Sequence, residues 1–309
     1  MPSTALPSAP APLLRAPLHD HGRLALGPAL RGGGHAYYPL ATPRRMRHGV
    51  IVGDAGVGVS NALTVLAVTA RAAMPLVTAY INGQHDLTNP ALARQATVLV
   101  QSADVAETAI AALERVVRAR AELLAAMQAG SYPAAGLPAL LVAIRDAHRV
   151  FAGHGERWAA VVRLAGELGI GVLATLPDTR LTSFGDSSAL QTLLLKQVVA
   201  LRTRCSLTVD KLAAKTAVFT AMGSGSANLT VKEPPAALRS ELGAAPTGVG
   251  QLFVDREPPV AFASFRLAAG GTEALVERGR RRWLVTYPDT ELDAPTRAAF
   301  GDLVHRGTA

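Results

Sequence analysis

Short apolar runs alternate along this chain with longer stretches in which apolar residues recur at helical spacing. The runs at 49–52, 77–81, 96–100, 139–144, 170–174 and 198–202 are apolar on both faces for most of their length, which predicts strands buried on both sides. Between them, 61–74, 156–168, 188–197 and a long stretch capped by Ser102 and running to about 128 have the length and Ala/Leu content of helices. In the long one, Ile110, Leu113, Val117, Ala121 and Leu124 form one apolar stripe, and Glu114, Arg115, Arg118 and Glu122 take the other faces. Strands alternating with helices predict an α/β fold with a mostly parallel sheet covered by helices on both faces. The ends of the pattern differ. Residues 23–40, around Gly32, Gly33 and Gly34, predict a hairpin feeding the main domain, and 249–254 with 260–267 predict an antiparallel hairpin at one edge of the sheet. The expected organisation is a Pro- and Ala-rich disordered leader over 1–20, one domain over 21–270, and a basic tail over 271–309. That tail holds Arg278, Arg280, Arg281, Arg282 and a short helix near 295–305.

Composition narrows the picture. Hydrophobic residues are 49% and charged ones 17%, so the chain buries a sizeable core; aromatics are only 5%, so that core is built from Ala, Val and Leu. A lone cysteine, Cys205, excludes an internal disulfide and suits a reducing, cytoplasmic compartment. The most apolar long stretch, 62–81, is interrupted by Arg71 and Pro75, so no transmembrane segment is expected. The net charge of +8 suits a polyanionic partner.

The chemistry gathers after the first buried strand. Gly53, Gly56, Gly58 and Ser60 lie between that strand and a helix, where backbone N–H groups can wrap a phosphate. The working phosphate loop reads Gly, four residues, Gly, Lys, then Ser or Thr. Here Gly53, Gly58 and Ser60 match, followed by Asn61, and Val59 stands where the lysine belongs. No lysine lies nearby, because Lys196, Lys211, Lys215 and Lys232 all come later. The glycine spacing fits the dinucleotide fingerprint less well. A second motif should be a buried strand ending in a carboxylate, and 140–148 (LLVAIRDAH) is the candidate.

With these motifs the chain resembles the FtsK/SpoIIIE family of ATP-driven DNA translocases, in particular the plasmid-transfer and FtsK-like branch of actinobacteria. The matching segments, in order over roughly 20–267, are HGVIVGDAGVGVSNAL at 48–63, LLVAIRDAHRVF at 140–151, IGVLATLPDTRL at 170–181, VVALRT at 198–203 and GVGQLFV at 248–254. The resemblance implies a RecA-like P-loop NTPase fold, ring oligomers with like or related subunits, and double-stranded DNA as partner. It also shows what has changed. Aligned on Ala147 and His148, Arg145 takes the place of the Mg²⁺-binding Asp, with Asp146 at the catalytic carboxylate position; Leu176 takes that of the γ-phosphate-sensing Gln, and Asn82, Gly83 and Gln84 replace the usual end of the second strand. A shift of one residue would instead make Asp146 the metal ligand.

Losing the loop lysine removes a cation beside the γ-phosphate, and Arg145 would repel Mg²⁺. The expectation is therefore a degenerate P-loop ATPase that does not hydrolyse, a pseudo-ATPase subunit or adaptor in DNA transfer or segregation. The alternatives are a working DNA translocase and a Mg²⁺-independent nucleotide or anion sensor. ATP or ADP would bind weakly, no metal is expected, and Gly53, Gly56, Gly58, Val59, Ser60, Asn61 and Arg145 are the candidate phosphate-binding residues. The competing expectation for Arg145 is an ion pair with Glu156 on the other side of the strand. His148 and His154, six apart, match no common zinc spacing, and Asp178, Asp186 and Ser187 read as loop and cap residues.

Overall fold

The structure, a computed structural model, describes residues 22–29, 34–84, 89–201, 249–255, 259–264 and 291–304, together with Glu257 and the dipeptides 207–208 and 228–229. The leader, Cys205, Lys211, Lys215, Lys232 and the basic run from Arg278 to Arg282 lie outside these residues.

Eight strands make the main sheet: β3 (Gly49–Val52), β4 (Leu76–Asn82), β5 (Val98–Val100), β6 (Ala139–Arg145), β7 (Ile170–Leu176), β8 (Gln197–Leu201), β9 (Val249–Val254) and β10 (Val260–Ala263). Their order is β10-β9-β8-β3-β7-β6-β4-β5. From β8 to β5 every pair is parallel, while β9 runs antiparallel to both β8 and β10. The expected edge hairpin is thus present, and β7 alone separates β3 from β6. A separate hairpin of β1 (Arg23–Pro28) and β2 (His35–Pro39) joins the sheet edge through an Ala29–Phe262 bridge.

Strand alternation divides the core in two. On one face Ile51, Tyr80, Leu141, Ala143, Leu173, Val199 and Leu201 meet α1 (Val59–Ala73), α2 (Pro90–Gln95) and the β1–β2 hairpin. On the other, Val50, Val52, Ile81, Val142, Ile144, Ala174 and Leu176 meet α3 (Val105–Ala126), α4 (Ala147–Phe151), α5 (Gly155–Ala165), α6 (Ser188–Leu194) and α7 (Ala294–Phe300). Leu292 and Phe300, from the stretch expected as a tail, belong to this second core.

Several element ends differ from expectation for local reasons. Helix α1 starts at Val59 because Gly58 takes a left-handed backbone, φ 103°, that launches the first turn. Helix α3 starts after Asp104, and Ser102 instead donates its hydroxyl to Thr108 at 3.4 Å. Helix α6 stops at Leu194 because Gln197 already pairs in the sheet, and α5 stops at Ala165 before Gly166 packs against Met46 and His48.

The stripe expected along α3 also needs correction at one position. Ala121 is exposed, and Arg120 is fully buried in its stead. Its guanidinium donates to Pro138 O at 3.0 Å, Leu168 O at 3.1 Å, Thr296 Oγ1 at 2.9 Å and Asp293 Oδ2 at 3.0 Å, which ties α7 to α3. Four directed acceptors are what make a buried guanidinium tolerable. Beyond α7, Val304 bridges Val98 on β5.

Candidate phosphate-loop site

The carboxyl ends of the parallel strands gather the residues singled out from sequence, as expected of an open α/β sheet. The loop runs from Gly53 to Gly58. Gly53 donates its N–H to Leu176 O at 3.3 Å, Val57 donates to Asp54 O at 3.4 Å, and Gly56 and Gly58 both have positive φ. No side chain caps α1, its first turn holds no acid, and the first intrahelical bond is from Ala62 N–H to Gly58 O. The preceding amides of that turn therefore have no helical acceptor and can serve an anion.

Val59 stands where the sequence pattern led us to expect a lysine. Its side chain packs, with that of Val57, against the α1-side core, and both close over Gly53: a Cβ there would come within 2.8 Å of Val57 and 3.0 Å of Val59. The loop is thus stapled from below by two valines. Ser60 is half-buried, its carbonyl accepting from Thr64 Oγ1 at 2.8 Å, while Asn61 donates to Ser264 at 3.4 Å. Asp54 puts a carboxylate inside the loop, an acid that glycine spacing alone gives no reason to weigh.

Register decides where Arg145 faces. It shares parity with Leu141 and Ala143, both in the α1-side core, and Ile144 pairs with Ala174, so Arg145 leaves β6 beside Thr175 on the loop's side of the sheet. Glu156 belongs to α5, which packs on the opposite face. Arg145 instead places Nε 3.4 Å from Asp146 Oδ2, its side chain only 13% exposed. Asp146 sits in a left-handed turn, φ 51°, and donates its N–H to Thr175 Oγ1 at 2.8 Å. Gly83 fits tightly here: its N–H donates to Arg145 O at 2.9 Å, and a Cβ would strike the carbonyls of Arg145 and Asp146. Leu176 turns into the opposite core and leaves the site without a polar side chain at that position.

The remaining polar candidates take supporting positions. His148 Nδ1 is buried without a partner, and burial lowers the ring's pKa against the pull of Asp146. Asp178 accepts from Ser183 at 2.6 Å and Arg180 at 2.7 Å, holding the 3-10 turn Leu181–Phe184, and Ser187 caps α6 by accepting from Leu190 N–H at 3.1 Å. His154 lies 3.7 Å from Glu107, in a cluster where Arg157 grips Glu107 at 2.6 Å and Glu114 at 2.8 Å. Among the described residues no group of His, Cys, Asp and Glu has the arrangement of a metal site, and no helix is long and apolar enough to cross a membrane.

Sheet order, loop and strand ends together define the architecture of a P-loop ATPase. Among solved structures the chain is similar to the cytoplasmic domain of the Type VII secretion ATPase EccC of Thermomonospora curvata, with 16% identity and a TM-score of 0.61, over 89% of this chain and 33% of that one. It is similar to the pCW3 conjugation coupling protein TcpA, solved as a monomer with ATPgS, with 12% identity and a TM-score of 0.59, over 84% and 71% of the two chains. EssC ATPases 2 and 3 of Geobacillus thermodenitrificans match with 14% identity and a TM-score of 0.56, over 92% and 51%. The chain thus spans a third of the EccC chain and half of the EssC chain. No protein-family description and no curated protein matches it. These neighbours are ATPases of the FtsK/SpoIIIE type, so the fold expected from the sequence motifs is the fold observed.

Proposed function

We propose that the chain is a P-loop protein of the secretion and conjugation type that does not turn over ATP, and that it acts as a subunit or adaptor beside related ATPases in moving DNA. What supports this reading is Val59 packed over Gly53, at the position we assign to the lysine, and Arg145 on the loop's side of β6, at the position we assign to the metal-binding acid in preference to Asp146. Phosphoryl transfer in this class is almost entirely positioning and charge stabilisation, so losing the lysine and excluding Mg²⁺ removes its main supports. The uncapped start of α1 still favours an anion, and Arg145 can add a forked donor to it once released from Asp146. This supports weak, Mg²⁺-independent binding of ATP or ADP at Gly53, Gly56, Gly58, Ser60, Asn61 and Arg145. Double-stranded DNA is the partner we assign, on the strength of the +8 charge, and a cytoplasmic oligomer the form.

Nucleotide titration with and without Mg²⁺, alongside an ATPase assay with and without duplex DNA, tests the reading. The expected result is no turnover and nucleotide binding indifferent to Mg²⁺. DNA-stimulated hydrolysis abolished by Ser60→Ala would replace it with a working translocase.

A further inference from the structure

The turn that follows β6 is fixed along its backbone and loose between its side chains. Arg145 O accepts from Gly83 N–H at 2.9 Å, Asp146 N–H donates to Thr175 Oγ1 at 2.8 Å, and Asp146 O accepts from Arg149 N–H at 3.0 Å. A Cβ on Gly83, just past β4, would meet the carbonyls of both Arg145 and Asp146, so the main chain of the turn has little freedom. The two side chains are held far less firmly. Arg145 Nε stands 3.4 Å from Asp146 Oδ2, beyond the roughly 2.7–2.9 Å of a charge-assisted hydrogen bond. Oδ2 is buried and accepts no hydrogen bond, and although Asp146 occupies the cap position of α4, its carboxylate caps no amide there. The described partner of this oxygen is therefore Arg145, in a contact that a better acceptor can replace.

The phosphate loop and this turn hang from the same strand end. Gly53 N–H donates to Leu176 O at 3.3 Å and Asp146 N–H to Thr175 Oγ1, so the two are fixed to successive residues of β7, which alone lies between β3 and β6. Two strand spacings are about 10 Å. An anion on the free amides of the loop and the long side chain of Arg145 divide that distance between them. There is room on the loop's side, because a Cβ on Gly56 would meet nothing within 4 Å.

We propose that Asp146 regulates the phosphate loop by competing with the bound anion for Arg145. This rests on the reading that the loop takes a di- or triphosphate, and adds a control of affinity to it. Without the anion the guanidinium pairs with Asp146; with it, Arg145 swings to the phosphate oxygens and the carboxylate turns to water, where its side chain is already 25% exposed. Phosphate offers the guanidinium fork two acceptors at short distance, whereas Asp146 offers one at 3.4 Å. Only side-chain torsions change, because Gly83, Thr175 and Arg149 pin the backbone. The apparent affinity is the intrinsic one scaled by the fraction of time Arg145 is free, so a pair formed about nine-tenths of the time weakens binding about tenfold.

The test is titration of the full chain with ADP, at low salt and without Mg²⁺, over the cycle of wild type, Asp146→Asn, Arg145→Gln and the two combined. Asn tolerates the left-handed backbone at this position, φ 51°, and Asp146→Gly, equally at ease there, is the second variant. The expected result is that Asp146→Asn and Asp146→Gly tighten ADP binding about tenfold while Arg145 is present, with less than about twofold gain in the Arg145→Gln background. Binding detectable only in the Asp146 variants also supports the proposal. A charge effect through space would tighten both backgrounds alike, and equal tightening overturns it. So does ADP binding to wild type that both Asp146 variants leave within about twofold, a result that the reading of the loop as an anion site survives. If neither wild type nor any variant binds ADP, that reading falls and the competition falls with it.

Discussion

Mild acid should weaken this fold at one ring. His48 accepts a hydrogen bond at Nδ1 from Val172 N–H, 3.1 Å away, and a protonated imidazole cannot accept it. Burial, then Arg45, then Lys196 lower its pKa from 6.5 to about 4. In the unfolded chain the ring takes up a proton below its ordinary value, whereas in the fold it resists until the pH approaches the lowered one. The unfolded state therefore binds more protons across this window, and stability falls as pH drops from about 6.5 to about 4. At 1.36 kcal/mol per unit, a shift of this size corresponds to about 3.4 kcal/mol. Because the ring is only half-buried, solvent screening reduces this to ~2 kcal/mol. Urea unfolding of wild type and His48→Asn across the window measures it, since Asn keeps an acceptor for Val172 but does not titrate. The wild type should lose ~2 kcal/mol more than the variant between the two ends. Parallel stability curves for the two proteins would refute the reasoning.

Other perturbations report on the parts that hold the site in place. Arg120→Met leaves Asp293 and two carbonyls without their partner and should cost about 3–5 kcal/mol, read as a fall in the urea midpoint. Gly155→Ala drives a methyl into the carbonyls of Phe184 and Gly185 and should cost about 1–3 kcal/mol, read by thermal unfolding. Val59→Lys alone should restore no Mg²⁺-dependent nucleotide binding, because Arg145 remains; the double variant Val59→Lys/Arg145→Asp should restore it, measured by titration with and without Mg²⁺. Asp54→Asn should tighten Mg²⁺-independent ADP binding by removing a like charge from the loop, measured the same way.

The parallel core was legible because its strands are apolar on both faces, and a run such as 139–144 is too short to read as anything but a buried strand or a helix segment. The phosphate loop was legible for a different reason: glycines at 53, 56 and 58 between a strand and a helix serve a backbone shape that the structure confirms at Gly56 and Gly58. Arg120 was not legible. Its burial depends on Asp293 and Thr296, more than 170 residues away, and a helical period treats an arginine as a surface residue until its partners are known. The facing of Arg145 was legible only as a pair of alternatives, because strand parity had to be anchored by core neighbours such as Leu141 and Ala143.

The short bridge between Val98 and Val304, with α7 anchored just before it by Arg120, has a consequence for handling the protein. Strand β5 ends the sheet, and its outer row of amides and carbonyls is partly occupied by this returning segment. A version of the chain cut before residue 291 would bare that row and, with it, the apolar patch under Leu292 and Phe300. Such a rim is a template on which another copy can add a strand, so shortened forms should polymerise edge to edge and come out of solution, although every residue of the phosphate loop is still in place.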